Sequence, residues 1–112
     1  MKLIDRNTLQ AKLGQVTLAE ALPEKYYRDG HLPGAKHLPH DQVRQLAPAV
    51  LPDKGAEIVV YCASRTCQNS HIAAKVLEQM GYANVAVYAG GKQDWQEAGL
   101  ALELEREAAQ AA

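Results

Sequence analysis

Glu57 to Tyr61 reads EIVVY, a short apolar run dominated by β-branched residues. A run of this kind marks a strand buried on both faces. Such a strand needs partner strands beside it and helices above and below it. The remaining chain supplies both in alternation. Lys2 to Ile4 is a short opening strand, and Asp5 or Asn7 caps a helix carrying Leu9 and Leu13 that Gly14 ends. Val16 to Ala19 forms the next strand, and Pro23 opens a helical turn through Tyr26 and Tyr27 that Gly30 closes. Ala35 to Leu38 makes an edge strand, and Asp41 caps a helix bearing Val43, Leu46 and Val50 before the Pro52–Gly55 turn. Between Asn69 and Met80, Ile72, Ala73, Val76, Leu77 and Met80 share one helical stripe that Gly81 terminates. Val85 to Tyr88 is a further strand, and Gly90 and Gly91 turn the chain into a last helix around Trp95. The expected architecture is an α/β three-layer sandwich, with a mostly parallel central sheet flanked by helices.

The chain has 112 residues, enough for one compact core. Residues 1–102 are expected to form that single domain, and 103–112 a helical or frayed tail. A net charge of −1 with interspersed signs recommends neither nucleic acid nor a basic partner. No stretch has the length of a membrane span, and Met1 to Gly14 lacks the apolar centre of a signal peptide. The default is therefore a cytoplasmic protein, where two cysteines are reactive or reduced more often than they are a staple.

Both cysteines fall in VVYCASRTCQNSHIAAKV, between the central strand and its following helix. Cys62 stands at the strand's carboxyl end, where ligands sit in open parallel sheets. A loop leading into a helix turns backbone N–H groups inward, and the helix dipole adds positive charge. A thiol there has a reason for a lowered pKa, and the same cradle suits a persulfide or an oxyanion such as thiosulfate. The local pattern alone leaves a reactive and a merely structural Cys62 both open.

Four separated segments resemble the rhodanese-like domain family: GHLPGAKHLP (Gly30–Pro39), IVVYC (Ile58–Cys62), SHIAAKVLEQMGYANVAVYAGG (Ser70–Gly91) and DWQEAGL (Asp94–Leu100). The resemblance implies a sulfurtransferase that needs no cofactor or metal. Its cysteine takes sulfane sulfur from a donor such as thiosulfate or a persulfide, holds it as a persulfide, and passes it to cyanide or a thiol, a protein thiol included. Carried over by position, the catalytic nucleophile is Cys62, and Ala63, Ser64, Arg65, Thr66 and Cys67 form the substrate-binding loop. The loop departs from the family's C-R-x-G-x-R-S. Arg65 takes the glycine position, Cys67 takes an arginine position, and the serine arrives only at Ser70. The family's D-V-R near the N-terminus is replaced by Glu20, Ala21 and Leu22, so another loop-bracing arginine is missing. Arg65 is left as the loop's cation, either meeting an anionic donor or pointing into solvent. Phosphatases and arsenate reductases of this fold need an arginine six residues after the cysteine, where Gln68 stands.

Cys67 has three readings: a thiol that resolves a Cys62 persulfide into a disulfide, a small apolar residue, or a metal ligand short of partners. The first supports an alternative function, a redox-sensing or protein-interaction module using a Cys62–Cys67 thiol/disulfide pair with little turnover. Glu20 is expected to support the loop by accepting from its N–H groups. His71 lies on the first turn of the following helix, near the substrate mouth. His31 is read as structural, His37 and His40 as surface residues, and Trp95 as core.

Overall fold

The computed structural model describes residues 2–104. It contains β1 (Lys2–Ile4), α1 (Arg6–Ala11), β2 (Thr17–Glu20), α2 (Glu24–Asp29), β3 (Lys36–His37), α3 (Val43–Val50), β4 (Ile58–Tyr61), α4 (Asn69–Gln79), β5 (Val85–Tyr88) and α5 (Gly91–Glu97). The strands form one sheet in the order β1-β5-β4-β2-β3. Every pairing between them is parallel, with β4 central between β2 and β5. The three-layer α/β expectation holds, and the sheet is more uniformly parallel than the sequence required.

All four residues of β4 and of β5 are buried. Their side chains alternate between two cores, as the two-residue period of a strand dictates. Ile58, Val60, Val85 and Val87 join Val43, Ala47, Ala73, Ala74, Leu77 and Tyr82 of the α3–α4 side. Val59, Tyr61, Ala86 and Tyr88 join Leu9 and Trp95 of the α1–α5 side.

Asp5 caps α1 by accepting from the Thr8 N–H at 2.8 Å. Asp41 does not cap α3: the helix starts at Val43 after Gln42, with no side-chain cap. Ile72 also departs from its expected stripe. The face of α4 that meets the sheet is Ser70, Ala73, Ala74 and Leu77, and Ile72 is 46% exposed. It starts the i, i+4 row through Val76 and Met80 along the edge of that face, and only the later two pack on the core. The second strand runs one residue later than its apolar letters suggested, because Glu20 pairs with both Tyr61 and His37. Glu103, expected to begin the tail, exchanges backbone hydrogen bonds with His31. The tail beyond Leu104 lies outside the described residues.

Tyr82 ties the α3–α4 core together. Its hydroxyl donates to the carbonyls of Ala47 (3.2 Å) and Leu51 (2.6 Å) at the end of α3. Tyr82→Phe removes that donor while keeping the ring. It should destabilise the protein by about 1–2 kcal/mol, read as a lower urea midpoint at unchanged slope.

Candidate active site

Tyr61 ends β4 and Asn69 begins α4, so Cys62 and the six residues after it form the bridging loop. The loop rests on the start of α5. Lys92 N–H donates to the Cys62 carbonyl (3.0 Å), and Gln93 N–H to that of Ala63 (2.9 Å). Gly91 comes immediately before them at φ 66°, and a Cβ there would be 2.5 Å from the Cys62 carbonyl oxygen. The glycine is thus required twice, for its backbone angle and for the close approach.

The Cys62 side chain points inward and the residue is 1% exposed. Its Sγ lies 3.3 Å from the buried Ser70 Oγ and donates to the Cys67 carbonyl at 3.4 Å. Cys67 is half-buried, and both cysteines are free. Ala63, Arg65 and Thr66 are exposed on the rim, and Ser64 Oγ lies 3.1 Å from Thr66 Oγ1. Cys62, Cys67 and Ser70 are therefore brought together. His71 is half-buried on α4, and among the described residues it is hydrogen-bonded to neither cysteine.

Ionisation of the pair runs opposite to the sequence expectation. Burial pushes the Cys62 thiol up, and the neighbouring Cys67 adds to the shift, against the help of Ser70. Burial also opposes ionisation of Cys67, but the Cys62 thiol and the backbone N–H groups of Ala63 and Asn69 outweigh it, holding Cys67 below the usual thiol range. The amides at this loop thus favour an anion on the second sulfur.

Arg65 borders two cavities. One, about 150 Å³, lies among Ser64, Thr66, Gln93 and Glu97; the other, about 300 Å³, among Leu3, Arg6, Tyr88 and Asp94. Asp94 accepts from Tyr88 Oη (2.5 Å) and Arg6 Nη1 (3.0 Å), so the wall behind Arg65 is internally neutralised.

Residues 5–98 match the rhodanese-like domain family. This chain belongs to that family. It is 34% identical over 73 residues to the thiosulfate sulfurtransferase PspE of Escherichia coli, a match covering 65% of this chain and 66% of that one. It is 29% identical over 90 residues to an HTH-type transcriptional regulator of Mycobacterium tuberculosis, covering 80% of this chain and 38% of the regulator. The structure of a rhodanese-related protein from Thermoplasma volcanium superposes with a TM-score of 0.80 at 23% identity, covering 94% of this chain and all of that one. That likeness speaks for the fold.

In this rhodanese-like domain Glu20 does not accept from loop amides. It is fully buried, and its Oε1 accepts from Tyr61 Oη at 2.9 Å. Its Oε2 lies 3.1 Å from Lys92 Nζ, close enough for an ion pair though off-angle for a hydrogen bond. Tyr61 Oη in turn accepts from Leu32 N–H (2.9 Å), and Lys92 Nζ donates to the Tyr26 carbonyl (2.6 Å). Lys92 therefore supplies, from α5, a cation that Ala21 and Leu22 cannot supply after β2. Sequence reading missed it because a lysine following two glycines looks like a solvated helix start. His31 is structural as expected, buried and stacked on Tyr27 at 4.1 Å. His37 and His40 are half-buried, not surface residues, and His37 Nε2 lies 2.7 Å from the Leu22 carbonyl. Trp95 is core, at 2% exposure.

Burial raises the Glu20 pKa, while Lys92 and Tyr61 pull it back. Lys92→Met removes the largest of those restraints and leaves an unpaired buried carboxylate, which should cost about 3–5 kcal/mol near neutral pH. A carboxylate raised above its unfolded value binds its proton more tightly when folded, so stability falls as pH rises through that window. The Lys92→Met deficit should therefore shrink toward acid pH. Adding Glu20→Gln should recover most of it, both read by denaturant titration across pH.

Proposed function

We propose that this rhodanese-like domain is a sulfurtransferase that carries sulfane sulfur as a persulfide on Cys62. The observation that carries the reading is the position of Cys62: the first residue after the central strand, its carbonyl pinned by α5, its sulfur beneath a loop that ends in a helix N-terminus. The donor is thiosulfate or a low-molecular-weight persulfide. The acceptor is cyanide, a small thiol or a protein thiol. Attack by Cys62 on the donor's outer sulfur expels sulfite or a thiolate, and attack by the acceptor on the persulfide's outer sulfur restores Cys62. Two free cysteines suit a reducing compartment such as the cytoplasm. The placement of two free cysteines in one loop, with the Cys62 thiol against the Cys67 carbonyl, supports a second reading, in which oxidation closes the pair to a disulfide and turnover stops.

Incubation with thiosulfate, or separately with glutathione persulfide, should raise the intact mass by one sulfur atom, mapped to Cys62 by digestion. Cys62→Ser should abolish the gain. No gain on the unmodified protein with either donor, or an equal gain on Cys62→Ser, would sink the reading.

Arg65 is the cation on the exposed rim of the loop, and it steers anionic donors. Arg65→Ala should raise the KM for thiosulfate roughly two- to fivefold, the worth of one exposed charge contact. Added salt should erase the difference between the two proteins.

A further inference from the structure

The cavity of about 300 Å³ beside Arg65 lies where β1 and β5 end, at the carboxyl edge of the sheet. Its volume is at the lower end of small-molecule pockets, roughly 300–1,000 Å³. Leu3 and Ile4 give it an apolar wall, and Asp5, Arg6, Arg65 and Asp94 give it four charges. Two of the four are spent on each other. Asp94 accepts from Arg6 Nη1 at 3.0 Å, and its other oxygen accepts from Tyr88 Oη at 2.5 Å.

The other two charges are open. Among the described residues, the Arg65 guanidinium makes no ion pair or hydrogen bond. Its charge is nevertheless felt at Tyr88, where Arg6 and Arg65 both oppose the rise that burial causes. The side chain therefore leans over the cavity. Asp5 is exposed and caps α1 through Thr8, which holds its carboxyl below the usual carboxylate range. Beyond that cap it forms no ion pair among the described residues. One open cation and one open carboxylate beside an apolar wall match a zwitterion, such as a free α-amino-acid group. A bare dianion would meet Arg65 but also the charge of Asp5.

The cavity adjoins the nucleophile. Gly90 lines it, and the next residue, Gly91, lies against the Cys62 carbonyl. Arg65 follows Cys62 by three residues, so their backbones are within about 11 Å of each other. The Cys62 sulfur is buried under the loop. A ligand whose head sits in the cavity therefore needs an arm to bring its own sulfur to that point.

We infer that this cavity is the acceptor subsite of the sulfur transfer, holding the α-amino-acid head of a γ-glutamyl thiol with its carboxylate on Arg65 and its ammonium on Asp5. The inference rests on the sulfurtransferase reading above. The γ-glutamyl chain is the arm between that head and the thiol. The thiolate's electron pair forms the bond to the persulfide's outer sulfur, and the pair of the breaking S–S bond returns to Cys62. In full, Cys62–S–SH + R–S⁻ gives Cys62–S⁻ + R–S–SH. Arg65 thus serves both halves, drawing in an anionic donor first and orienting the acceptor afterwards.

The test isolates the second half. Cys62 is loaded from excess thiosulfate or glutathione persulfide, freed of donor by gel filtration, and mixed with each of three acceptors. These are glutathione, its glutaryl analogue lacking the amine, and its γ-aminobutyryl analogue lacking the α-carboxylate. All carry the same cysteinyl thiol, so intrinsic reactivity is held constant. On the unmodified protein each analogue should react about fivefold more slowly than glutathione, the upper worth of one exposed charge contact. Arg65→Ala should slow glutathione by a similar factor and make it equal to the γ-aminobutyryl analogue, because the carboxylate has lost its partner. Asp5→Asn keeps a side chain that caps α1, and it should make glutathione equal to the glutaryl analogue. A structural role for either residue would leave these ratios in place. Equal rates for all three thiols on the unmodified protein, or a carboxylate penalty that persists in Arg65→Ala, would overturn the subsite. A glutaryl analogue as fast as glutathione on the unmodified protein would overturn the Asp5 contact, and the zwitterionic site with it. Failure of Cys62 to load from either donor would instead overturn the sulfurtransferase reading.

Discussion

The contact between the start of α5 and the Cys62 carbonyl is the constraint on which the site depends. β4 ends at Tyr61, so the Cys62 carbonyl has to find its partner outside the strand, and it finds Lys92 N–H at 3.0 Å. A buried carbonyl left without a donor costs on the order of 1–3 kcal/mol, so the contact fixes where the loop starts. Gly91 makes the approach possible, since any Cβ there would overlap the Cys62 carbonyl oxygen and the Ala63 carbonyl carbon. Loop position is therefore set by a helix more than twenty residues further along the chain.

The same helix turn carries the electrostatic support. Lys92 donates its backbone N–H to Cys62 and offers its side chain to Glu20, which is fully buried at the end of β2. Tyr61 completes the group, donating to Glu20 from the last residue before Cys62. Three elements, β2, β4 and α5, are joined beneath the loop through one carboxylate. Burying that carboxylate is unfavourable by itself, and its gain lies in specifying one arrangement of the three elements.

The elements with strong local patterns were legible in the sequence. The β-branched run of β4 and the apolar run of β5 announced a buried parallel core, and Cys62 at the end of β4 followed from that. What could not be read depends on contacts between distant segments. Glu20 reads as a support for the loop amides just after a strand, and only its pairing with Tyr61 and His37 shows that it ends β2. Asp41 has the right chemistry for a cap, but α3 begins two residues later. Ile72 fits the helical period and lies at the edge of the buried face. Lys92 and the order of ionisation of the two thiols have no local signature. Each is set by what the loop touches after folding.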